Sequence, residues 1–323
     1  EQYAMPVFYH DVMYRENTEE KDAAFLKLYD GHDWKWFAVR LKHTDMEYLR
    51  KHWSGKKASA PTLEKKHDKY FLRFTYAEEV ALNRTPVKEQ TICSVDLGIN
   101  TDAVCTIMRP DGTILGRKFI NFPSDKDRMY RVLGRIRRFQ REHGSRQVQG
   151  RWAYAKRLNT ELGKKIAREI VFYASENRAD VIVFEYLEMK GKLSGKKKQK
   201  LQMWRKRDIQ KRCGQQAHRK GIRISRICAW NTSRLAFDGS GKIDRDIQDH
   251  RLCTFQNGKR YNCDLSASYN IGARYFIREI LKPLPATERS LLEAKVPAVK
   301  RRTSCVYADL RDLISEMELQ KAA

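Results

Sequence analysis

Residues 92–107 read ICSVDLGINTDAVCTI, two apolar-rich stretches, the first of which carries Asp96 in its middle and a glycine two positions later. A strand of this composition is core material, so an ionisable group within it needs a reason beyond packing. Around that carboxylate the pattern resolves into strands. TICSVDLGI (91–99) is one, AVCTIM (103–108) a second and TILGRKFI (113–120) a third, with RPDG supplying a tight turn between the last two. Three successive strands joined by short turns form a meander.

Further along, a long helical stretch precedes ADVIVFEYLE (179–188), a short continuous apolar strand in which Glu185 stands near the end. A helix around WRKRDIQKRCGQQAHRKG (204–221) leads to a fifth strand, IRISRICAW (222–230). After an irregular segment rich in Gly and Asp, residues 264–281 show helical spacing at Leu265, Tyr269, Ala273, Phe276 and Ile280. Three meander strands, helix, strand, helix, strand, insertion, helix is the element order of the RNase H-like fold, an α/β mixed sheet with flanking helices. Upstream, AFLKLYDGHDWKWFAVRLKH (24–43) reads as a hairpin around Asp30-Gly31, and KYFLRFTYAEE (69–79) as another strand. The intervening EKKHDKY and KHWSGKKASAP read as loops, and the whole block suits part of a small antiparallel β-barrel.

Composition narrows the function. Lys and Arg number 65 against 40 Asp and Glu, a formal charge of +25 that makes polyanions, above all nucleic acid, the natural partners. No apolar run approaches the roughly 20 residues of a spanning helix, and EQYAMPVFYH lacks the layout of a signal peptide. Seven scattered cysteines do not form a secreted disulfide framework, so the expectation is reduced thiols and a cytoplasmic protein without a membrane partner.

In the expected fold the first and fourth strands are central neighbours and the last helix starts facing them, which would bring together Asp96, Glu185 and Asp264. Three carboxylates at one place repel unless cations lie between them. Two magnesium ions about 3.5 to 4 Å apart would satisfy them and clamp a scissile phosphate, one activating water and the other stabilising the leaving oxygen. Taken singly, each residue has a plainer reading: Asp96 as a turn residue before Gly98, Glu185 as a strand-end charge in water, Asp264 as a helix N-cap.

SVDLGIN (94–100), VIVFEYLEMKGK (181–192) and YNCDLSASYNIGAR (261–274) resemble the three RuvC motifs of the TnpB nucleases and the type V CRISPR effectors. Asp96, Glu185 and Asp264 match that family's metal-binding, catalytic carboxylates, and the resemblance spans about residues 91–281. It implies an RNA-guided DNA endonuclease with guide RNA and target DNA as partners and magnesium-dependent cleavage in one RuvC site. It also makes residues 1–90 part of a wedge domain, 91–281 the nuclease domain and 282–323 a tail. Family members begin with a strand and a helical recognition lobe ahead of such a wedge, so the resemblance implies a chain that starts part-way through.

The chain departs from TnpB at the insertion, residues 229–262. TnpB carries two Cys-x-x-Cys pairs there, whereas this chain has Cys228, Cys253 and Cys263 around the segment, with His250 as a potential fourth ligand and no Cys-x-x-Cys. The expectation is no zinc, with the cysteines acting as small hydrophobes. Ser266 and Ser268 replace the usual Asn and Ala of the third motif, small changes that should leave the helix packing intact.

Within the arginine-rich helices of 126–177, Arg128, Arg131, Arg135 and Arg138 recur at helical spacing, with Met129, Val132, Leu133 and Ile136 on another face. One side packs while the other can track a phosphate backbone. Lys196, Lys197 and Lys198 belong to a basic loop that also suits nucleic acid, and Trp204 and Trp230 read as packing or base-stacking residues. Arg245, Arg251 and Arg260 precede the third motif, where an arginine could steady the scissile phosphate. The Pro-containing tail reads as an extended link to one short helix. Two other functions stay open: a guide-dependent DNA-binding protein with a silent nuclease site, and an unguided RuvC-like resolvase or transposase-associated nuclease.

Overall fold

The computed structural model describes residues 6–66, 69–144, 148–186, 206–301 and 303–322. The chain divides into two compact units, Glu1–Val80 and Ala81–Ala323.

In the first unit β1 (Tyr14–Glu16), β2 (Ala23–Tyr29) and β3 (Trp34–Arg40) form an antiparallel sheet in that order. The β2–β3 hairpin turns at Asp30-Gly31 as expected. Asp30 Oδ1 accepts from the N–H groups of His32 and Asp33, and Gly31 takes φ 104°, where a side chain would be strained. β4 (Thr62–Lys66) and β5 (Lys69–Arg73) form a second antiparallel pair, so EKKHDKY is mostly strand rather than loop. Its charged side chains misled the reading because β4 and β5 are largely exposed. Residues 51–53, also read as loop, are the last turn of a helix, α1 (His43–Trp53). None of its residues is buried; Asp45 near its start and Arg50, Lys51 and His52 near its end suit the helix dipole, while Arg50 and His43 both pair with Asp22.

The second unit is built on a five-stranded mixed sheet in the order β10-β9-β6-β7-β8. Its strands are β6 (Ile92–Asp96), β7 (Ala103–Met108), β8 (Ile114–Ile120), β9 (Val181–Tyr186) and β10 (Arg223–Cys228). β6, β7 and β8 are the antiparallel meander, whereas β9 runs parallel to both β6 and β10. Between β8 and β9 lie α2 (Pro123–His143) and α3 (Gln149–Glu176), and between β9 and β10 lies α4 (Lys206–His218).

Both faces of the central strands are covered, which is why they read as continuous apolar runs. Cys93, Val95, Cys105, Ile107, Ile182 and Phe184 pack with Ile166, Ile170 and Ile209 of α3 and α4. The alternate residues Ile92, Val104, Met108, Val181 and Val183 pack on the opposite face against α5 (Cys263–Leu281). α5 lies so close that a Cβ on Gly272 would stand 2.8 Å from Met108 Cε and 3.1 Å from Ser94 Oγ. Ser268 fits the close approach through its hydroxyl, 2.6 Å from that of Thr106. Ser266 is buried with its hydroxyl unpartnered.

Two segments depart from expectation. The insertion folds as a short antiparallel sheet of β11 (Asp244–Arg245), β12 (Leu252–Thr254) and β13 (Arg260–Asn262), too short to leave a periodic signature. The tail is no extended link. α6 (Ala286–Lys295), a 3-10 turn (Pro297–Lys300) and α7 (Tyr307–Ala322) follow one another, and Leu292, Val299, Cys305, Leu310 and Leu313 join the core around α5. Among the described residues no helix is long and apolar enough to cross a membrane.

Candidate active site

Side-chain alternation along the strands decides where the carboxylates go. On β6, Ile92, Ser94 and Asp96 share a face; on β9, Val181, Val183 and Glu185 do, and in both strands this is the face covered by α5. The parallel register pairs Val95 with Phe184, so Asp96 and Glu185 occupy the next step along neighbouring strands. Asp264 lies in the first turn of α5. Asn262 caps that helix by accepting from the Leu265 N–H at 2.9 Å, so the Asp264 carboxylate is not its N-cap.

Asp96 is 9 % exposed and Glu185 8 %, so neither is a solvated turn or strand-end charge. Burial raises the Asp96 carboxyl well above its ordinary range, and the negative charges of Glu185 and Asp264 raise it further against Lys206 and Arg245. Burial also raises Glu185, opposed by a hydrogen bond from Thr232 and by the positive charges of Lys206 and Arg274. Asp264 is raised by burial and relieved by Thr101, Arg245 and Arg251. Lys206, the first residue of α4, is drawn down to about 8 by its own burial, against the pull of Glu185 and Asp96.

Three carboxylates that burial drives toward protonation, Asp96 further by the charges of the other two, form a site whose ionised state calls for cations. The donor set is oxygen-only, the chemistry that suits magnesium. Among the described residues no three His, Cys, Asp or Glu side chains enclose one point closely enough to hold an ion by themselves. Magnesium usually takes one or two carboxylates with water and phosphate completing its shell, so the donor set fits a substrate-assisted site.

No family model matches the chain, and no curated protein matches it. Solved Cas12 structures do. The chain is similar to the cryo-EM structure of a Cas12f1–sgRNA–target DNA complex, at 18% identity and TM-score 0.46 over 65% of this chain and 55% of that one. It is similar to a Cas12i–crRNA–dsDNA complex at 10% identity and TM-score 0.44, over 96% of this chain and 53% of that one. A third structure, Alicyclobacillus acidoterrestris C2c1 with single-guide RNA, shares 11% identity and TM-score 0.42 over 78% of this chain and 43% of that one. The chain spans about half the length of the solved chains it matches.

Of the arginines ahead of the third motif, two have charges that reach the carboxylates. Arg245 acts on Asp96 and Asp264 while its Nη2 donates to the Ser233 carbonyl at 3.1 Å, and Arg251 acts on Asp264 while paired with Asp249 at 2.9 Å. Arg260 pairs with Asp246 at 3.2 Å. His250 Nδ1 lies 3.1 Å from the Asp246 carbonyl oxygen, Cys253 and Cys263 pack with Ala236 and Phe255, and Cys228 is exposed. Trp230, two residues beyond β10, is 68 % exposed, so it does not pack into the sheet, and Tyr186, 54 % exposed, ends the neighbouring strand.

On α2, Arg128, Arg131, Arg135 and Arg138 are exposed while Ile136 is buried and Met129, Val132 and Leu133 are half-buried. Arg128 donates to the Tyr154 hydroxyl at 2.6 Å, and Arg135 lines a groove of about 270 Å³ with Arg151 and Tyr154 of α3. Lys196, Lys197, Lys198 and Trp204 lie outside the described residues. The sequence reading missed Thr101, Lys206, Thr232 and Arg274. None carries a signal in its residue type; each acts on the carboxylates through contacts made by folding.

Proposed function

We propose that this chain is the wedge and RuvC portion of an RNA-guided DNA endonuclease of the TnpB and type V lineage, acting in the cytoplasm on target DNA paired with a guide RNA. The observation that carries the proposal is the gathering of Asp96, Glu185 and Asp264, from two strand ends and a helix start, on one covered face of a five-stranded mixed sheet. The three family-like motifs are those that contain these residues, and the strand order suits an RNase H-like core.

In this reading Asp96 and Glu185, on adjacent strands, and Asp264, on α5, hold two magnesium ions. Bound there, the ions supply the positive charge that activates water and offsets the charge of the phosphodiester during hydrolysis. Thr101 and Thr232 orient carboxylate oxygens, and Arg245 and Arg251 hold positive charge beside Asp264, which with Lys206 would temper the repulsion between the carboxylates and a scissile phosphate. The exposed arginine face of α2 and the net charge of +25 suit the phosphate backbones of guide and hybrid.

The test is Asp96→Ala in protein purified with RNA from its native locus. Cleavage of a matched DNA is expected to vanish with RNA retained; residual magnesium-dependent cleavage in the variant would refute the assignment. A single defined RNA in the purified protein supports guidance, and the lack of any specific RNA from active enzyme would overturn it in favour of an unguided nuclease.

A further inference from the structure

Glu185 is held from a distance by the C-terminal segment. The contact at the carboxylate is the Thr232 hydroxyl, which lies in the loop after β10, is 1 % exposed, and donates to Glu185 Oε1. Thr232 Oγ1 also stands 3.1 Å from the Ala229 carbonyl oxygen. A hydroxyl has one proton to give, so its direction depends on where the loop backbone holds it.

That backbone is gripped from α5. Asn270 Nδ2 donates to the carbonyls of Thr232 at 3.0 Å and Leu235 at 2.9 Å, while its Oδ1 accepts from the Tyr307 N–H at 3.0 Å. One turn further, Arg274 Nη1 donates to the carbonyls of Cys228 at 3.0 Å and Trp230 at 2.6 Å, and its Nε to that of Cys305 at 2.8 Å. Both side chains thus join the loop that carries Thr232 to residues 305–307. Ala308 N–H adds a direct tie to the Phe237 carbonyl at 2.9 Å. A buried guanidinium that gives Nε and Nη1 to main-chain carbonyls and leaves Nη2 without a partner is an expensive way to fill space, since an apolar residue of similar volume would pack without desolvating a charge. What the polar pair adds is a fixed loop geometry.

We propose that Thr232 is a positioning residue for Glu185, and that Asn270 and Arg274 couple it to residues 305–307, making the C-terminal segment part of the scaffold of the nuclease site. The inference rests on the nuclease reading, in which Glu185 binds metal. Hydrogen-bond partners of metal-ligating carboxylates typically control affinity by about 10- to 100-fold.

The test is calorimetric titration of the full chain with manganese, as a probe of the magnesium site, beside the magnesium dependence of cleavage. Thr232→Val keeps the shape and removes the donor. It is expected to weaken manganese binding, and to raise the magnesium needed for half-maximal cleavage, by about 10- to 100-fold with the melting temperature nearly unchanged. Thr232→Ser, which keeps the hydroxyl, should restore both. Asn270→Ala should act in the same direction, and the double variant should be weakened by less than the product of the single effects, because both changes act on one contact. Wild-type metal binding in Thr232→Val, with Glu185→Gln defective, would overturn the proposal. Wild-type metal binding in Glu185→Gln would instead overturn the metal-site reading beneath it.

Discussion

Gly272 offers a quantitative test of how closely α5 lies on the sheet that carries Asp96. In an ordinary helix interior Gly→Ala stabilises by about 1 kcal/mol, because alanine loses less backbone freedom on folding. At position 272 the added Cβ would stand 2.8 Å from Met108 Cε, 2.9 Å from Met108 Sδ and 3.1 Å from Ser94 Oγ. Met108 is fully buried, so its thioether cannot swing into solvent. Overpacking of this kind typically costs about 1–3 kcal/mol, leaving Gly272→Ala destabilising by about 0–2 kcal/mol. Removing the obstacle should reverse the sign. Met108→Ala alone should cost about 2–5 kcal/mol through the cavity it leaves. In that background Gly272→Ala recovers its helix gain of about 1 kcal/mol, so the double-mutant coupling should be about 1–3 kcal/mol. Urea unfolding of the four proteins measures it. Stabilisation by Gly272→Ala of about 1 kcal/mol in both backgrounds, with no coupling, would refute the close approach of α5 to β7.

Two further outcomes are expected. Replacing Arg131, Arg135 and Arg138 together with Gln should weaken RNA binding and flatten the slope of log affinity against log salt by about 2–3, at roughly 0.7–0.9 per phosphate contact; an unchanged slope would place the RNA elsewhere. Leu310→Ala, which opens a hole where α7 meets the core, should cost about 2–5 kcal/mol in urea unfolding, and a change within about 0.5 kcal/mol would make the tail peripheral.

The central strands β6, β7 and β9 were legible because they are buried on both faces, which leaves apolar runs that few other structures produce, and because Asp96 and Glu185 interrupt those runs. The α5 helix announced itself by spacing. Segments whose order comes from few buried residues were not legible: α1 buries none of its side chains, and the insertion's strands are two or three residues long. In the tail, prolines and basic residues concealed Leu292, Val299, Leu310 and Leu313, which are spread across three short elements rather than one periodic run. At the site, the carboxylates stood out by being ionisable in apolar company. Their supporters did not, since Thr232 reaches Glu185 across 47 positions and Arg274 reaches Trp230 across 44.

The same contrast bears on how such a site would work. A charge of +25 would draw a polyanion such as nucleic acid at long range, yet the proposed cleavage point is a local concentration of negative charge. A phosphate approaching Asp96, Glu185 and Asp264 meets repulsion, tempered by Lys206, Arg245 and Arg251 and removed only when cations neutralise the carboxylates. In the proposed site, substrate and magnesium would therefore favour each other's binding, and by linkage each should tighten the other by the same factor. Basic surfaces alone would hold DNA without metal, so the dependence of DNA affinity on magnesium isolates the carboxylate cluster from the rest of the molecule. Asp96→Asn, which removes one charge from the cluster, should diminish that dependence and leave metal-free affinity no weaker than that of the wild type; an undiminished dependence would refute the coupling.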